Sequence, residues 1–217
     1  MSGGVGAPVI AVVDYGIGNL RSAEKALEHV GAHAHLTADP DEIEEADAVV
    51  LAGVGNFGRC IEALHGARLA APTLAAVESG RPVLGICVGM QMLYEASEEA
   101  PGIPGLGVVP GTIRLLSDTE KRPQMQWNLL EQEGSSGLLD GIAGPLWMYF
   151  VHSYAPPAGE AVVATCDYGG PVTAAVEQGN VWATQFHPEK SGAQGLAVLA
   201  NFARAAARQR SGVRQQA

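Results

Sequence analysis

The chain has 217 residues and a formal net charge of −10, from 13 basic and 23 acidic side chains. No basic stripe is present that could displace counterions from a phosphate backbone, which argues against nucleic-acid binding. The three cysteines form no Cys-x-x-Cys pair, no apolar run reaches the length of a membrane span, and residues 1–7 lack the basic start of a secretory leader. We therefore expect a cytoplasmic protein that does not enter a membrane.

Apolar strands alternate with amphipathic helices in the first half of the chain, which predicts an α/β fold with a mostly parallel central sheet flanked by helices in three layers. Strands are expected at 8–13, 32–37 and 48–52, a helix from Leu20, and two helices within 57–80, separated at Pro72. The second half predicts additional antiparallel strands, at 107–110, 112–116, 125–130, 146–151, 161–166, 172–177 and 181–186.

A final amphipathic helix is predicted at 195–208, followed by a polar, frayed tail at 209–217. A chain of this length can bury a single large core, and no linker is rich enough in glycine, proline or serine to separate a second unit. We expect one domain over residues 1–217, with its core at about 8–208.

Residues 83–93 pass from an apolar strand through a Gly-x-Cys-x-Gly turn centred on Cys87 into a helix. This pattern is typical of a nucleophile elbow, in which the flanking glycines let two backbone segments pass closely. A thiol at the start of a helix is favoured in its anionic, nucleophilic form. The alternative is a buried structural cysteine, but it would leave both glycines unexplained, so Cys87 is the candidate nucleophile.

Two further glycine-rich turns follow predicted strands. The turn at 53–58 is expected at the same carboxyl edge of a parallel sheet as the Cys87 turn. Its glycines would let a backbone amide rotate towards a developing oxyanion. A plain loop is also compatible with the pattern. The turn at 14–19 contains Gly16-x-Gly18 but lacks the third glycine of a dinucleotide fingerprint, which argues against nucleotide binding there.

A cysteine nucleophile needs a base, and there are six histidines. Surface positions, without a metal, are expected for His29, His33, His35 and His65, and the ends of apolar strands for His152 and His187. Glu189 stands two residues after His187 with Pro188 between them, and extended residues two apart project to the same side. Because a carboxylate so placed can orient the imidazole, we hypothesise a triad of Cys87, His187 and Glu189.

Six segments carry a resemblance to a known family: 14–19, 53–57, 85–91, 123–128, 150–154 and 185–191. The segments around Cys87 and His187 resemble class I glutamine amidotransferases. The other four, which include Met-Gln-Trp-Asn and Phe-Val-His-Ser-Tyr, resemble more narrowly the glutaminase subunits of imidazole glycerol phosphate synthases. The resemblance extends from about Val9 to Phe202.

The resemblance implies hydrolysis of glutamine to glutamate and ammonia, with Cys87 attacking the side-chain amide, His187 transferring protons and Glu189 orienting His187. The oxyanion would be held by the backbone N–H groups of Val54, after a peptide rotation at Gly53, and of Val88. The remaining positions carried over are substrate contacts at Gly55, Gln91, Ser153 and Tyr154, and a partner interface at Met125, Trp127, Asn128 and Lys190.

The implied partner is a (β/α)8-barrel cyclase subunit, forming a heterodimer that makes imidazole glycerol phosphate and aminoimidazole carboxamide ribotide in histidine biosynthesis. A sealed interface would pass the ammonia on unprotonated, and the isolated chain would be nearly inactive until its nucleotide-loaded partner binds. The resemblance implies no cofactor and no metal. No phosphate-binding loop is visible, which is consistent with the nucleotide binding to the partner.

Two residues depart from the family pattern. Ala52 stands where proline is common, which loosens the oxyanion turn, and Gln126 stands where glycine is common, which adds a side chain at the expected interface. Both affect regulation more than catalysis. Two alternatives remain. Another class I glutaminase, such as the subunit that serves pyridoxal phosphate synthesis, is disfavoured by Val88 and by Trp127-Asn128. A non-catalytic binding module is disfavoured by the intact triad.

Overall fold

The computed structural model describes residues 6–214, the last four of them by their backbone only. Eight strands, numbered in chain order, form the central sheet in the spatial order β2 (His33–Thr37), β1 (Val9–Val13), β3 (Ala48–Gly53), β4 (Val83–Cys87), β13 (Val181–Thr184), β12 (Pro171–Gln178), β11 (Val162–Asp167) and β8 (Glu131–Gln132). The first five are parallel, and the last three continue the sheet in antiparallel pairings. The predicted mostly parallel sheet with an antiparallel second half is confirmed.

Two smaller sheets come from the second half of the chain. One contains β10 (Tyr154–Ala155), β6 (Val109–Leu115) and β5 (Tyr94–Ser97), and the other is an antiparallel ribbon of β7 (Gln124–Leu129) and β9 (Trp147–His152). The N–H of His187 donates to the carbonyl of Tyr149 at 2.9 Å, so the β7–β9 ribbon lies beside the segment that follows β13.

The helices are α1 (Leu20–His29), α2 (Pro40–Glu45), α3 (Phe57–Gly66), α4 (Ala70–Glu78), α5 (Val88–Met92) and α6 (Gly192–Arg214). Helix α1 packs against α6, and α2 packs against α4. Every residue of β3 and β4 is buried, as expected for parallel strands that are covered on both faces. Among residues 6–214, no helix combines the length and apolar character that crossing a membrane requires.

Four predicted elements differ from the structure. The two strands predicted at 107–110 and 112–116 form a single strand, β6. Pro72 lies in the first turn of α4, where its missing N–H is tolerated, and the break between the helices falls at 67–69, where Arg68 adopts a φ of 61°. The helix after Cys87 is only five residues long, because Tyr94 already pairs in β5. The last helix continues to Arg214, beyond the predicted end at Arg208, and the predicted tail residues 215–217 lie outside the described residues.

Candidate active site

Cys87 lies at the junction of β4 and α5 with φ 55° and ψ −111°. This backbone conformation is strained for a residue that has a side chain. A Cβ at Gly89 would overlap the carbonyl group of Leu51, and one at Gly85 would approach the backbone N of Met90 to 2.9 Å. The two glycines are therefore required by the close passage of β3, β4 and α5, as the nucleophile-elbow interpretation predicts.

His187 and Glu189 lie across the carboxyl edge of the sheet from the elbow. Nδ1 of His187 is 2.7 Å from Oε1 of Glu189, and the two side chains are only 2% and 5% exposed. The imidazole also lies close enough to Cys87 for the sulfur to raise its pKa. Since Nδ1 is occupied by Glu189, Nε2 is the nitrogen left for the sulfur, and it has no hydrogen-bond partner within residues 6–214. The structure brings together the three side chains of the hypothesised triad.

The charge state of His187 follows from these contacts. Burial alone would lower its pKa, but the interactions with Cys87 and Glu189 outweigh burial and raise the pKa to about 9. At neutral pH the imidazole is therefore protonated, and such a cation can donate a proton to a leaving amine.

His152, at the end of β9, has the opposite character. Burial lowers its pKa to about 4, and its Nδ1 lies 2.9 Å from the carbonyl oxygen of Tyr154, which can only accept. The proton of this neutral imidazole therefore sits on Nδ1. At neutral pH, His187 is therefore protonated and His152 is neutral. Such a difference between neighbouring titratable groups is typical of sites that transfer protons.

A cavity of about 270 Å³ joins the elbow, the 53–58 turn and the end of β9. Its lining residues are Val54, Gly55, Cys87, Val88, Gln91, Glu99, Pro123, Val151, His152, Ser153, Tyr154 and His187. All predicted catalytic, oxyanion and substrate positions are in this set except Glu189, which lies behind His187. A larger cavity of about 660 Å³ around Pro157 and Gly169 contains none of the predicted site residues.

Sequence reasoning did not assign Glu99, Pro123, Val151 or His152 to this cavity. Glu99 belongs to the acidic stretch 95–99, a pattern typical of solvated surface. Instead, its Oε2 accepts the N–H of Phe57 at 2.6 Å, which ties the carboxylate to the start of α3. No local pattern distinguishes this acid from its neighbours, because its role depends on a contact 42 residues away in the chain.

Gln91 connects the cavity to the nucleophile through a second buried amide. Its Nε2 donates to the carbonyl of Tyr154 at 2.9 Å and to Oε1 of Gln185 at 3.0 Å. Gln185 in turn donates to the sulfur of Cys87 at 3.7 Å. Both N–H groups of Gln91 are thus used within the protein, and its carbonyl oxygen is left to accept a hydrogen bond from a ligand.

The predicted interface residues do not all share one surface. Met125 and Trp127 are 64% and 49% exposed on one face of the β7–β9 ribbon, together with Leu129 and Trp147. We call these four residues the apolar ribbon face. Asn128 points to the other face, where its side chain donates to the carbonyl of Asp167 at 2.8 Å. Lys190 is exposed in the short helical turn after His187.

Aromatic rings link the apolar ribbon face to the triad. The ring centroids of Trp127 and Tyr149 are 6.2 Å apart, and those of Tyr149 and His187 are 6.4 Å apart. Tyr149 pairs with Trp127 across the ribbon and lies between the exposed tryptophan and the buried imidazole. The exposed face and the hypothesised triad are therefore neighbours, separated by one side chain.

Comparison with known proteins identifies the family. The class-I glutamine amidotransferase family model matches residues 11–206. The chain belongs to the class I glutamine amidotransferase family.

Individual relatives place the chain more narrowly within this family. It is 48% identical over 202 residues to the imidazole glycerol phosphate synthase subunit HisH of Deinococcus radiodurans, covering 91% of this chain and 94% of that protein. It is 49% identical to the subunit of the same name from Methanothermobacter thermautotrophicus, covering 89% and 97%.

Solved structures agree on the fold. A crystal structure of a glutamine amidotransferase superposes with a TM-score of 0.73 at 23% identity, covering 91% of this chain and 98% of that one. The structure of PurLQS from Thermotoga maritima gives a TM-score of 0.71 at 21% identity, covering 90% and 97%.

Proposed function

We propose that the chain is the glutaminase subunit of an imidazole glycerol phosphate synthase and that it releases ammonia from glutamine for use by a cyclase subunit in the cytoplasm. The observation that carries this proposal is the buried Cys87–His187–Glu189 cluster, which opens onto a cavity of about 270 Å³. The high identity to subunits named HisH supports the choice of this member over other class I glutaminases.

The reaction follows from the charge state of the cluster. The thiolate of Cys87 attacks the side-chain carbonyl carbon of glutamine, and His187 donates its proton to the departing nitrogen, so that ammonia leaves and a thioester forms. The neutral imidazole then removes a proton from water, the resulting hydroxide displaces the sulfur, and glutamate is released. Glu189 holds Nδ1 throughout and stabilises each imidazolium stage.

The cavity offers a partner for each end of glutamine. The backbone N–H groups of Val54 and Val88 would hold the tetrahedral oxyanion beside the sulfur, where one such donor is typically worth about 10²- to 10³-fold in rate. The free carbonyl oxygen of Gln91 would accept an N–H of the substrate. The carboxylate of Glu99 has the charge to pair with the α-ammonium group, with Gly55, Ser153 and Tyr154 completing the walls.

The apolar ribbon face would bind the (β/α)8-barrel cyclase. A group of large apolar side chains exposed together on one face marks an interaction surface. Its position next to the triad would shorten the path that ammonia must travel and would shield it from protonation by water. Lys190 would lie at the edge of this interface. Gln126 falls on the opposite parity of β7 from Trp127, so its side chain would not disturb the contact as the sequence suggested.

Glutamine hydrolysis provides the test. The chain is purified with candidate cyclase subunits, and ammonia release is measured with and without the phosphoribulosyl-formimino imidazole carboxamide nucleotide. We expect nearly no release from the chain alone and strong stimulation by the nucleotide-loaded cyclase. Equal activity with and without any partner would contradict the assignment as a regulated subunit. Absence of hydrolysis under every condition would contradict the glutaminase itself.

A further inference from the structure

Two side chains hold the turn that follows β3 from either side. The hydroxyl of Tyr15 donates to the carbonyl of Ala52 at 2.8 Å, and the thiol of Cys60 donates to the carbonyl of Val54 at 3.5 Å. Both side chains are buried, at 5% and 1% exposure. The Tyr15 hydroxyl also lies 3.9 Å from the sulfur of Met92, so the turn is tied to the end of α5 as well.

These contacts bracket one peptide unit. The carbonyl of Ala52 belongs to the peptide before Gly53, and the carbonyl of Val54 belongs to the peptide after Val54. With both flanking peptide planes held, the peptide between Gly53 and Val54 can rotate without displacing its neighbours. We propose that Tyr15 and Cys60 are positioning residues that confine motion of the oxyanion turn to this one peptide and so set the direction of the Val54 N–H. This inference rests on the proposed glutaminase function.

The local packing agrees with a restraint at this point. A Cβ at Gly53 would lie 2.5 Å from the Tyr15 hydroxyl oxygen and 3.3 Å from the backbone N of Gly89. The turn is therefore enclosed by Tyr15 on one side and by the Cys87 elbow on the other. Ala52 lacks the proline ring that would otherwise fix its φ. The hydrogen bond from Tyr15 supplies a restraint at the same residue through its carbonyl group.

The two donors differ in strength. Burial raises the pKa of the Tyr15 phenol well above its ordinary range, so the hydroxyl remains a donor at every working pH. A thiol is a weaker donor than a hydroxyl, so Cys60 contributes less. Removing a donor at the turn should therefore leave the direction of the Val54 N–H less well fixed, without changing Cys87 or the substrate pocket.

Tyr15→Phe tests this in the complex with the cyclase and its nucleotide, because it removes one oxygen and keeps the ring. We expect kcat for glutamine to fall about tenfold, a fraction of the effect of deleting a whole oxyanion donor, with KM within about twofold. Cys60→Ala should lower kcat about threefold. The matched controls are Tyr94→Phe and Cys166→Ala, which alter a buried tyrosine and a buried cysteine away from the turn.

A second measurement separates the turn from the triad. Alkylation of Cys87 by iodoacetamide, followed by mass spectrometry of its peptide, forms no oxyanion and should proceed at the wild-type rate in both variants. Unchanged or raised kcat in both variants, or alkylation that slows in parallel with kcat, would overturn the inference. If Tyr15→Phe fails to fold, Cys60→Ala decides. Wild-type protein that releases no ammonia would instead refute the proposed function.

Discussion

The Cys87 elbow and the β7–β9 ribbon differ in almost every physical respect. The elbow is buried, strained at φ 55° and enclosed by glycines that admit no side chain. The ribbon is a two-stranded sheet that exposes Met125, Trp127 and Trp147 to solvent. Isolated two-stranded ribbons have little stability of their own, whereas the elbow is held by the central sheet.

This difference suits the two regions to different tasks, chemistry at the elbow and partner binding at the ribbon. Strain at a nucleophile persists only where the surroundings determine the backbone completely, and the centre of a parallel sheet provides this. Recognition of a partner needs apolar area that can be reached, so we propose that it occurs on this added element at the periphery. If this division is correct, variants in the elbow should abolish chemistry without changing partner binding, and variants in the ribbon should do the reverse.

The largest expected effect is that of Cys87→Ala. Ammonia release should be abolished even in the complex with the nucleotide-loaded cyclase, because no other thiol reaches the substrate carbonyl. Coupled assay of ammonia checks this, and titration calorimetry should show cyclase binding unchanged. Cys166→Ala, at a buried position in β11, is the matched control and should keep full activity. Activity that survives in Cys87→Ala would remove this residue from the mechanism.

Glu189→Gln should have the next largest effect. The amide can no longer stabilise the imidazolium or hold its orientation, and loss of the third triad member costs up to about 10⁴-fold in kcat in related chemistry. Steady-state kinetics of glutamine hydrolysis measures the change. Turnover within about twofold of wild type would show that Glu189 does not orient His187.

Trp127→Ala should weaken binding of the cyclase about 30-fold in Kd, the range of a buried aromatic anchor at an interface. Calorimetry or surface plasmon resonance measures this, with Asn128→Ala as the control from the opposite face of the same strand. We expect the control to lose less than about threefold. Equal losses in both variants would mean that the apolar ribbon face is not the interface.

The smallest expected effect is on stability against pH. The pKa of His187 in the folded protein, about 9, lies above its ordinary value of 6.5, so its charge stabilises the fold fully below pH 6.5 and this contribution is lost as the pH rises towards 9. Urea unfolding should show a steeper loss across this window for wild type than for His187→Gln. Parallel curves would contradict the cationic state of His187.

Local patterns were sufficient where a residue type is required by backbone geometry. The glycines around Cys87 restrict the chain so strongly that the elbow could be predicted from spacing alone. The predicted contact between His187 and Glu189 also forms, but through a 3-10 turn at Pro188–Lys190 and not on the extended backbone that the spacing suggested. The resemblance supplied the residues that line the cavity, such as Gln91 and Tyr154.

Other features depended on contacts that no local pattern records. Glu99 enters the cavity because Phe57, 42 residues away in the chain, donates to it. The orientation of Asn128 away from Trp127 follows from strand alternation, but its acceptor, the carbonyl of Asp167, could not be predicted. The break between α3 and α4 was misplaced because Pro72 is tolerated in a first helical turn. Long-range partners and helix ends were thus the parts that sequence could not determine.

Covalent labelling tests the central claim most directly. The chain is incubated with a chloroketone analogue of glutamine, whose chloride a thiolate displaces to form a thioether, and the labelled peptide is identified by mass spectrometry. We expect one label, on Cys87, that glutamine suppresses and that His187→Gln slows. Labelling of Cys60 or Cys166 at a comparable rate, or labelling of Cys87 that glutamine does not suppress, would contradict it.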